Sequence, residues 1–240
     1  MIILFFILAH WYLSLFFQTF FLHRYSSHGM FRMNNFWEKI FFFFTFLVQG
    51  SSFLQPAAYG AMHRKHHSHS DTKKDPHSPL WSKNIFSFMW ATFKEYRKLS
   101  TEFLNEEVKE SDLPRWKSIE ILGESMIVRI IFVLFYSSIY WFYAPSSWFF
   151  LLIPLHIFMG PIHGFIVNWF GHKNGYRNHP ELTDNSKNSL HIDLLMMGEL
   201  YQNNHHKSPN KAKFSYRWFE LDLGYLIIQL LNKLRIIRLV

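Results

Sequence analysis

The sequence contains no cysteine. That excludes a disulfide scaffold, thiolate-held zinc, iron–sulfur clusters and a cysteine nucleophile together. It has no Glu-x-x-His pair, which removes the carboxylate-bridged di-iron bundle, and no His-Glu-x-x-His, which removes the zinc-protease pattern. Charge is missing over long stretches. None occurs from Met1 to His23, where His10, Ser14, Gln18 and Thr19 interrupt an otherwise apolar run. No Lys, Arg, Asp or Glu lies between Arg129 and Lys173, or from Ile40 to Met62. The first run has neither a basic leader nor a small-residue cleavage site, so it reads as a membrane span and not as a signal peptide.

What is present is aromatic and rich in imidazole. The chain has 240 residues, room for one domain, and 49% are hydrophobic; aromatics reach 20%, with 28 Phe and 9 Trp, and there are 15 His. A membrane span needs about 20 residues, so spans are expected at about 2–22, 125–143 and 147–169, the last two joined by a charge-free turn at Ala144-Pro-Ser-Ser147. Almost all Lys and Arg fall in three stretches, Arg24 to Lys39, Arg64 to Arg129 and Lys173 to Arg238. The positive-inside rule makes those stretches cytoplasmic. The net charge of +8 is therefore a topology signal, and with no aromatic-plus-basic nucleotide-binding motif, no nucleic acid partner is expected. The fold class that follows is all-α: a multi-pass integral membrane helical bundle, one domain over 1–240. A cytoplasmic helical cap is expected from 63–118 and 172–240.

The histidines gather at the cytoplasmic ends of the apolar runs. His23 and His28 follow the first span, and His63, His66 and His67 follow the second run. Asn168 and His172 end the last span, and Gln202, His205 and His206 lie beyond it. Residues at i, i+3 and i+4 share a helix face, which unites the second, third and fourth groups internally. His23 and His28 are five apart, about 140° around an α-helix, so they meet only if the helix ends or loosens between them. Eight imidazoles and two amides are too many for one ion; two ions with four or five ligands each fit. Imidazole suits Zn, Cu, Fe and Ni alike. His28 and His63 must reach one site, so residues 36–62 are expected to be interfacial or re-entrant, a path that Gly50-Ser-Ser and Gln55-Pro56 permit. His10, His156 and His163 are off the ligand pattern and read as helix–helix hydrogen bonders.

The series His-x4-His, His-x2-His-His, Asn-x3-His and Gln-x2-His-His, in that order, resembles the membrane fatty acid desaturases, most closely the acyl-CoA delta-9 branch. Supporting strings are His69-Ser-Asp71, Asp75-Pro-His-Ser-Pro79, Gly175-Tyr-Arg177, Asp184-Asn-Ser-Lys-Asn188 and Gly198-Glu199. The resemblance implies two iron ions that use O2 to place a cis double bond, at delta-9, in a saturated acyl chain carried by CoA. It puts iron ligation on His23, His28, His63, His66, His67, His172, His205 and His206, with Asn168 holding a water. Gln202 stands where the nearest pattern has His, and would ligate directly or through water. The family usually sets two spans before the first histidine group; one precedes it here, which implies three spans and an outside N-terminus.

Asp71 and Asp75 follow His67 at i+4 and i+8 and are candidates to orient ligand imidazoles, as carboxylates commonly do; the plain alternative is a solvated, helix-ending pair. Arg64, Lys65, Lys73, Lys74 and Arg177 are candidates for the phosphates of a CoA head group, or simply positive-inside residues. Breaking an unactivated methylene C–H bond is beyond side-chain acids and bases, so the metals carry that chemistry. The protein's part is an aromatic-lined tunnel that positions one C–C bond. With no Cys, haem domain or Gly-rich dinucleotide loop, the chain needs an external electron donor: a ferredoxin, cytochrome or flavoprotein reductase. Two other readings stand beside this one. A related histidine-rich hydroxylase of alkanes, sterols or carotenoids would share the iron chemistry, and a divalent-metal transporter would hold its ligands near the bilayer midplane.

Overall fold

A computed structural model describes residues 1–240 except Pro76, Lys109 and Ser111; Pro76 of the Asp75–Pro79 string therefore lies outside the described residues. The described residues are helical or irregular apart from a two-residue strand pair, Phe31–Arg32 (β1) against Arg238–Leu239 (β2). The helix α1, Ile2–Phe17, continues without a break as a π-helix over Gln18–Ser27. Its exposed positions, Leu4, Phe5, Leu8 and Leu13, are apolar, and its buried ones include His10 and Ser14. That inversion suits a helix whose outer solvent is hydrocarbon. Helix α6, Met126–Tyr143, repeats it: Tyr136 and Tyr140 are buried while Ile127, Ile131, Leu134 and Trp141 face out.

Two further apolar stretches are broken. Helix α2, Asn35–Gln49, runs into a 3-10 turn at Gly50–Ser52 and then into α3, Pro56–His69, with a bend of 81°. The stretch expected as one span over 147–169 is instead a 3-10 turn at Ser147–Leu152 and α7, Ile153–Ile157, bent by 69° from α8, Met159–Lys173. Two helices are thus long and apolar enough to cross a membrane, or four if each bent pair counts as one crossing, against the three spans expected. The break at Phe158 has a local cause. Pro161 has no N–H to return to the Ile157 carbonyl.

The two breaks satisfy each other. Ser51 Oγ donates to Ile157 O (3.3 Å), and the Gly160 N–H donates to Ser52 Oγ (3.1 Å). Arg129 of α6 reaches across to the carbonyls of Gly123, Ser51 and Phe53. Irregular backbone at this depth is tolerated only when protein supplies its hydrogen bonds. A side chain at Gly160 would press on the Ser52 carbonyl at 3.1 Å.

Helix α4, Ile85–Leu104, opens with a reciprocal cap between Asn84 and Ser87 and packs on α3. Helix α5, Lys117–Glu124, leads into α6. After α8 the chain is irregular until α9, Gln202–Lys207; buried Asn188 bridges Tyr176 and Tyr201 and accepts from the Asn203 N–H. Helix α10, Leu223–Lys233, precedes β2. The main core is aromatic, with Phe20, Phe21, Phe31, Phe42 and Phe53 fully buried where the π-helix meets α2 and the α2–α3 break.

Candidate metal centre

Four chain segments deliver the imidazoles, and each local geometry has a reason. A π-helix bonds i to i+5, so residues five apart stack as i and i+4 do in an α-helix. His23 and His28 therefore meet, with ring centres 5.1 Å apart. Pro56 at the first position of α3 suits a helix start, and that helix carries His63, His66 and His67. Helix α8 carries Asn168 and His172; α9 carries Gln202, His205 and His206.

The eight rings form two adjoining groups. His23, His28, His63, His67 and His205 each offer a nitrogen within 4.8 Å of the others, as do His66, His172 and His206. In the larger group, Nε2 atoms approach in pairs at 3.0 Å: His23 with His205, His205 with His67, His67 with His63, and His63 with His28. In the smaller group, His66 and His206 Nε2 are 3.4 Å apart. Metal–imidazole bonds of about 2.1 Å set neighbouring nitrogens about 3.0 Å apart at right angles and about 3.4 Å apart at tetrahedral angles. Both spacings match edges of a coordination polyhedron.

The opposite ring nitrogens decide the tautomers. His66 Nδ1 meets both oxygens of Asp75 at 2.9 and 3.0 Å, His172 Nδ1 meets Asp71 at 2.9 Å, and His206 Nδ1 meets Asp184 at 2.9 Å. A carboxylate only accepts, so each Nδ1 carries the proton and each Nε2 presents a lone pair. Three lone pairs then converge with no proton between them, and His172 Nε2 is buried without a partner. Three lone pairs so arranged suit a bound cation. In the larger group, His23 Nδ1 donates to Glu199 at 2.5 Å, and Glu199 also accepts from Thr19. Four buried or half-buried carboxylates thus surround the two groups, a charge that offsets two divalent ions.

Electrostatics agree. Burial, then neighbouring imidazoles, pushes His28 down to about 2 and His205 well below its ordinary value. Burial also outweighs the Asp184 carboxylate at His206 and lowers it to about 4. His28, His205 and His206 are therefore neutral at pH 7, each with a lone pair to offer. At Asp71 and Asp184, burial acts upward, but hydrogen bonds from His172 and His206 prevail and hold both carboxyls well below the usual range.

The two amides lie beside the rings. Asn168 Nδ2 donates to Gly164 O (2.8 Å) and its side chain lines a small cavity of about 20 Å³ with Gln18, His23, His63 and His163. Gln202 Nε2 donates to Glu199 O (2.7 Å), while its Oε1 is buried without a partner. It lies across Gly171, where a Cβ would come within 2.5 Å of Gln202 Cγ. Asp71 and Asp75 bond His172 and His66. Glu199 and Asp184, which do the same for His23 and His206, were not singled out for that role by spacing. Glu199 lies far along the chain from His23 and Asp184 sits in a loop without periodicity, so no local pattern ties either carboxylate to its ring. Arg64 pairs with Glu110 and Asp112 and donates to Ser26 O and Ser27 O; Lys65 pairs with Glu95; Arg177 donates to Leu182 O. His163, expected to bridge helices, hydrogen-bonds nothing; both its nitrogens are buried and unpartnered beside Trp11.

A sequence profile of fatty acid desaturases matches residues 1–229. The chain belongs to the fatty acid desaturase family. It is 29% identical to the hex-5-enoyl-[acyl-carrier protein] acetylenase of Moorena producens, over 96% of this chain and 74% of that protein. It is 28% identical to the sn-1 stearoyl-lipid 9-desaturase of Synechocystis, over 88% of this chain and 63% of that one. Against the acyl-CoA C20 Delta5-desaturase of Anemone leveillei the identity is 27%, over 88% and 65%. The chain thus spans about two thirds of the length of these relatives. The family is one of membrane-bound oxidoreductases acting on fatty acyl chains, which accords with the helices facing outward with Phe, Leu and Ile.

Proposed function

We propose that this desaturase holds two iron ions and, with O2, introduces a cis double bond into a saturated acyl chain. In this reading His23, His28, His63, His67 and His205 hold one iron, and His66, His172 and His206 the other. The observation that carries it is the convergence of three Nε2 lone pairs whose Nδ1 protons are all bound by carboxylates. Gln202 Oε1, free and adjacent to His172 on α8 through Gly171, completes the smaller set directly or through water. Asn168 supports a water at the cavity face.

When bound, the iron pair supplies the O2 activation and one-electron chemistry that an unactivated C–H bond requires. The protein's residues supply the rest. Asp71, Asp75, Asp184 and Glu199 lock the rings and raise their basicity. Phe214 of the aromatic core packs on His23 and His205, with ring centres 5.5 and 4.5 Å away, and excludes water from that side of the larger group. The balance is one acyl –CH2–CH2–, O2, two electrons and two protons in, and one –CH=CH– and two waters out. The two external electrons come from a ferredoxin, cytochrome or flavoprotein reductase, since the sequence shows no cysteine, no haem domain and no Gly-rich dinucleotide loop. The Lys and Arg distribution supports a multi-pass topology with the histidine end, residues 63–118 and 172–240, forming a cytoplasmic cap.

A delta-9 position and a CoA carrier are the finer assignment. Relatives named for carrier-protein, stearoyl-lipid and acyl-CoA substrates make the carrier part of the test. Purified protein is assayed for iron, expected at about two per chain by the ligand arithmetic. It is then supplied with a reductant and with stearoyl groups on each carrier, and the lipids are analysed by gas chromatography with double-bond location. A new monounsaturated product supports the reading; a hydroxylated product or a metal-loaded but inert protein that moves divalent ions across vesicles would replace it.

A further inference from the structure

Three arginines gather around the β1–β2 pair. Arg32 and Arg238 are register partners across the two strands, pointing outward while Phe31 and Leu239 turn in. Like charges directly opposite each other destabilise a strand pair. Arg235 joins them, in the left-handed conformation (φ 59°) that ends α10. Among the described residues, none of the three guanidinium groups has a hydrogen-bonding or ion-pairing partner, and no Asp or Glu lines the cavity of about 430 Å³ they share. Two amides complete it. Asn34 Oδ1 accepts from the Trp37 N–H at the start of α2, and Asn232 Oδ1 accepts from the Leu239 N–H. With both oxygens so engaged, the amide N–H groups are left for the cavity. The N-terminus of α2 adds its own free backbone donors. The floor is apolar: Met33, Ile236 and buried Ile237. The side-chain groups left for the cavity are amide N–H donors and three positive guanidiniums.

We propose that this cavity binds the phosphate ester of an anionic lipid, with Arg32, Arg235 and Arg238 as its charge partners and the Met33–Ile237 floor under the adjoining hydrocarbon. The place fits. Helix α2 leaves the cavity with Phe36, Phe43, Phe44 and Leu47 exposed, as a helix entering a bilayer would, so the cavity lies where headgroups lie. Arginine forks match phosphate oxygens, and basic residues near the surface favour anionic lipid. The site does not depend on the reaction proposed above.

The test is native mass spectrometry of the full chain in detergent, titrated with palmitoyl-oleoyl phosphatidylglycerol, with diacylglycerol as the phosphate-free counterpart and CoA as a soluble phosphate ester. Iron content and circular dichroism are recorded for each variant and are expected to stay unchanged, because the three side chains are exposed. The triple variant R32Q/R235Q/R238Q is expected to bind phosphatidylglycerol about tenfold or more weakly than the wild type. A control, K83Q/K94Q/K98Q, removes the same formal charge from α4 and the residue before its cap, and is expected to bind normally. CoA that displaces the lipid, with the same dependence on the arginines, would retain the phosphate site and reassign its source to a soluble ester. Equal lipid binding by wild type and triple variant, an equal loss in the control, or equal retention of diacylglycerol would overturn the proposal.

Discussion

Imidazoles meet at two depths in this protein, and the contrast between them defines what makes a ligand. In the membrane region, His10 Nε2 donates to Val48 O (2.9 Å), so its Nδ1 accepts from His156 Nδ1 (2.7 Å). His156 Nε2 in turn accepts from the Tyr140 hydroxyl (2.9 Å). Each nitrogen in that relay has one proton or one lone pair matched, and nothing is left for a cation. At the histidine end, the outer nitrogens of His66, His172 and His206 all donate to carboxylates, and the inner ones face each other as lone pairs. Both sets are buried. The difference is who takes the other nitrogen: a carbonyl and a hydroxyl in one set, carboxylates in the other.

The largest effect that would break this contrast is removal of a ring from the smaller group. His172→Ala is expected to lose one of two irons and to reduce product formation more than 100-fold while the helical content is kept; retention of both irons by metal analysis would contradict the assignment of His172. Next, Asp184→Asn keeps shape but offers His206 an amide that can donate as well as accept. Such changes typically cost 10–100-fold in metal affinity, read as earlier iron loss in a chelator titration. The same substitution scheme at His10→Leu should leave iron intact and instead destabilise the protein by about 1–3 kcal/mol, the cost of stranding His156 and Val48 O, measured by thermal or denaturant unfolding.

Acid should act on the iron-free protein in a defined direction. Burial holds His206 at about 4, against an ordinary 6.5, so between those values the unfolded chain binds a proton the folded chain does not. Stability therefore falls as pH drops from about 6.5 to about 4 and is insensitive to this group above that window. A flat profile across it, in chelator-treated protein, would show that the ring is already paired or exposed. The smallest expected effect is at His163. Its nitrogens are unpartnered, so His163→Leu should be neutral or slightly stabilising and leave iron content alone; a loss of iron would bring His163 into the site.

Much of the site was written in spacing. The i, i+3, i+4 sets on α3 and α9 and the Asn168–His172 pair on α8 follow from helical period alone, because a face is a local property. The His23–His28 pair showed only that an α-helix could not serve; that the remedy is ten residues of π-helix depends on α2, α3 and α10 packing around it. The break at Phe158 was harder to see. Pro161 weakens one hydrogen bond, but whether a span bends there depends on Ser51 and Ser52, more than a hundred residues earlier, arriving to satisfy Ile157 and Gly160.

The sequence by itself determined the solvent and the donors: runs without charge that must face hydrocarbon, and eight imidazoles at their ends, six of them in groups at helical spacing, with no thiolate to compete. Only the tertiary structure decided which nitrogen of His23, His66, His172 and His206 points inward. That choice rests on carboxylates brought from elsewhere in the chain, Glu199 to His23 and Asp71 to His172. A proton's position on a ring follows from its partner in space, which no local pattern records.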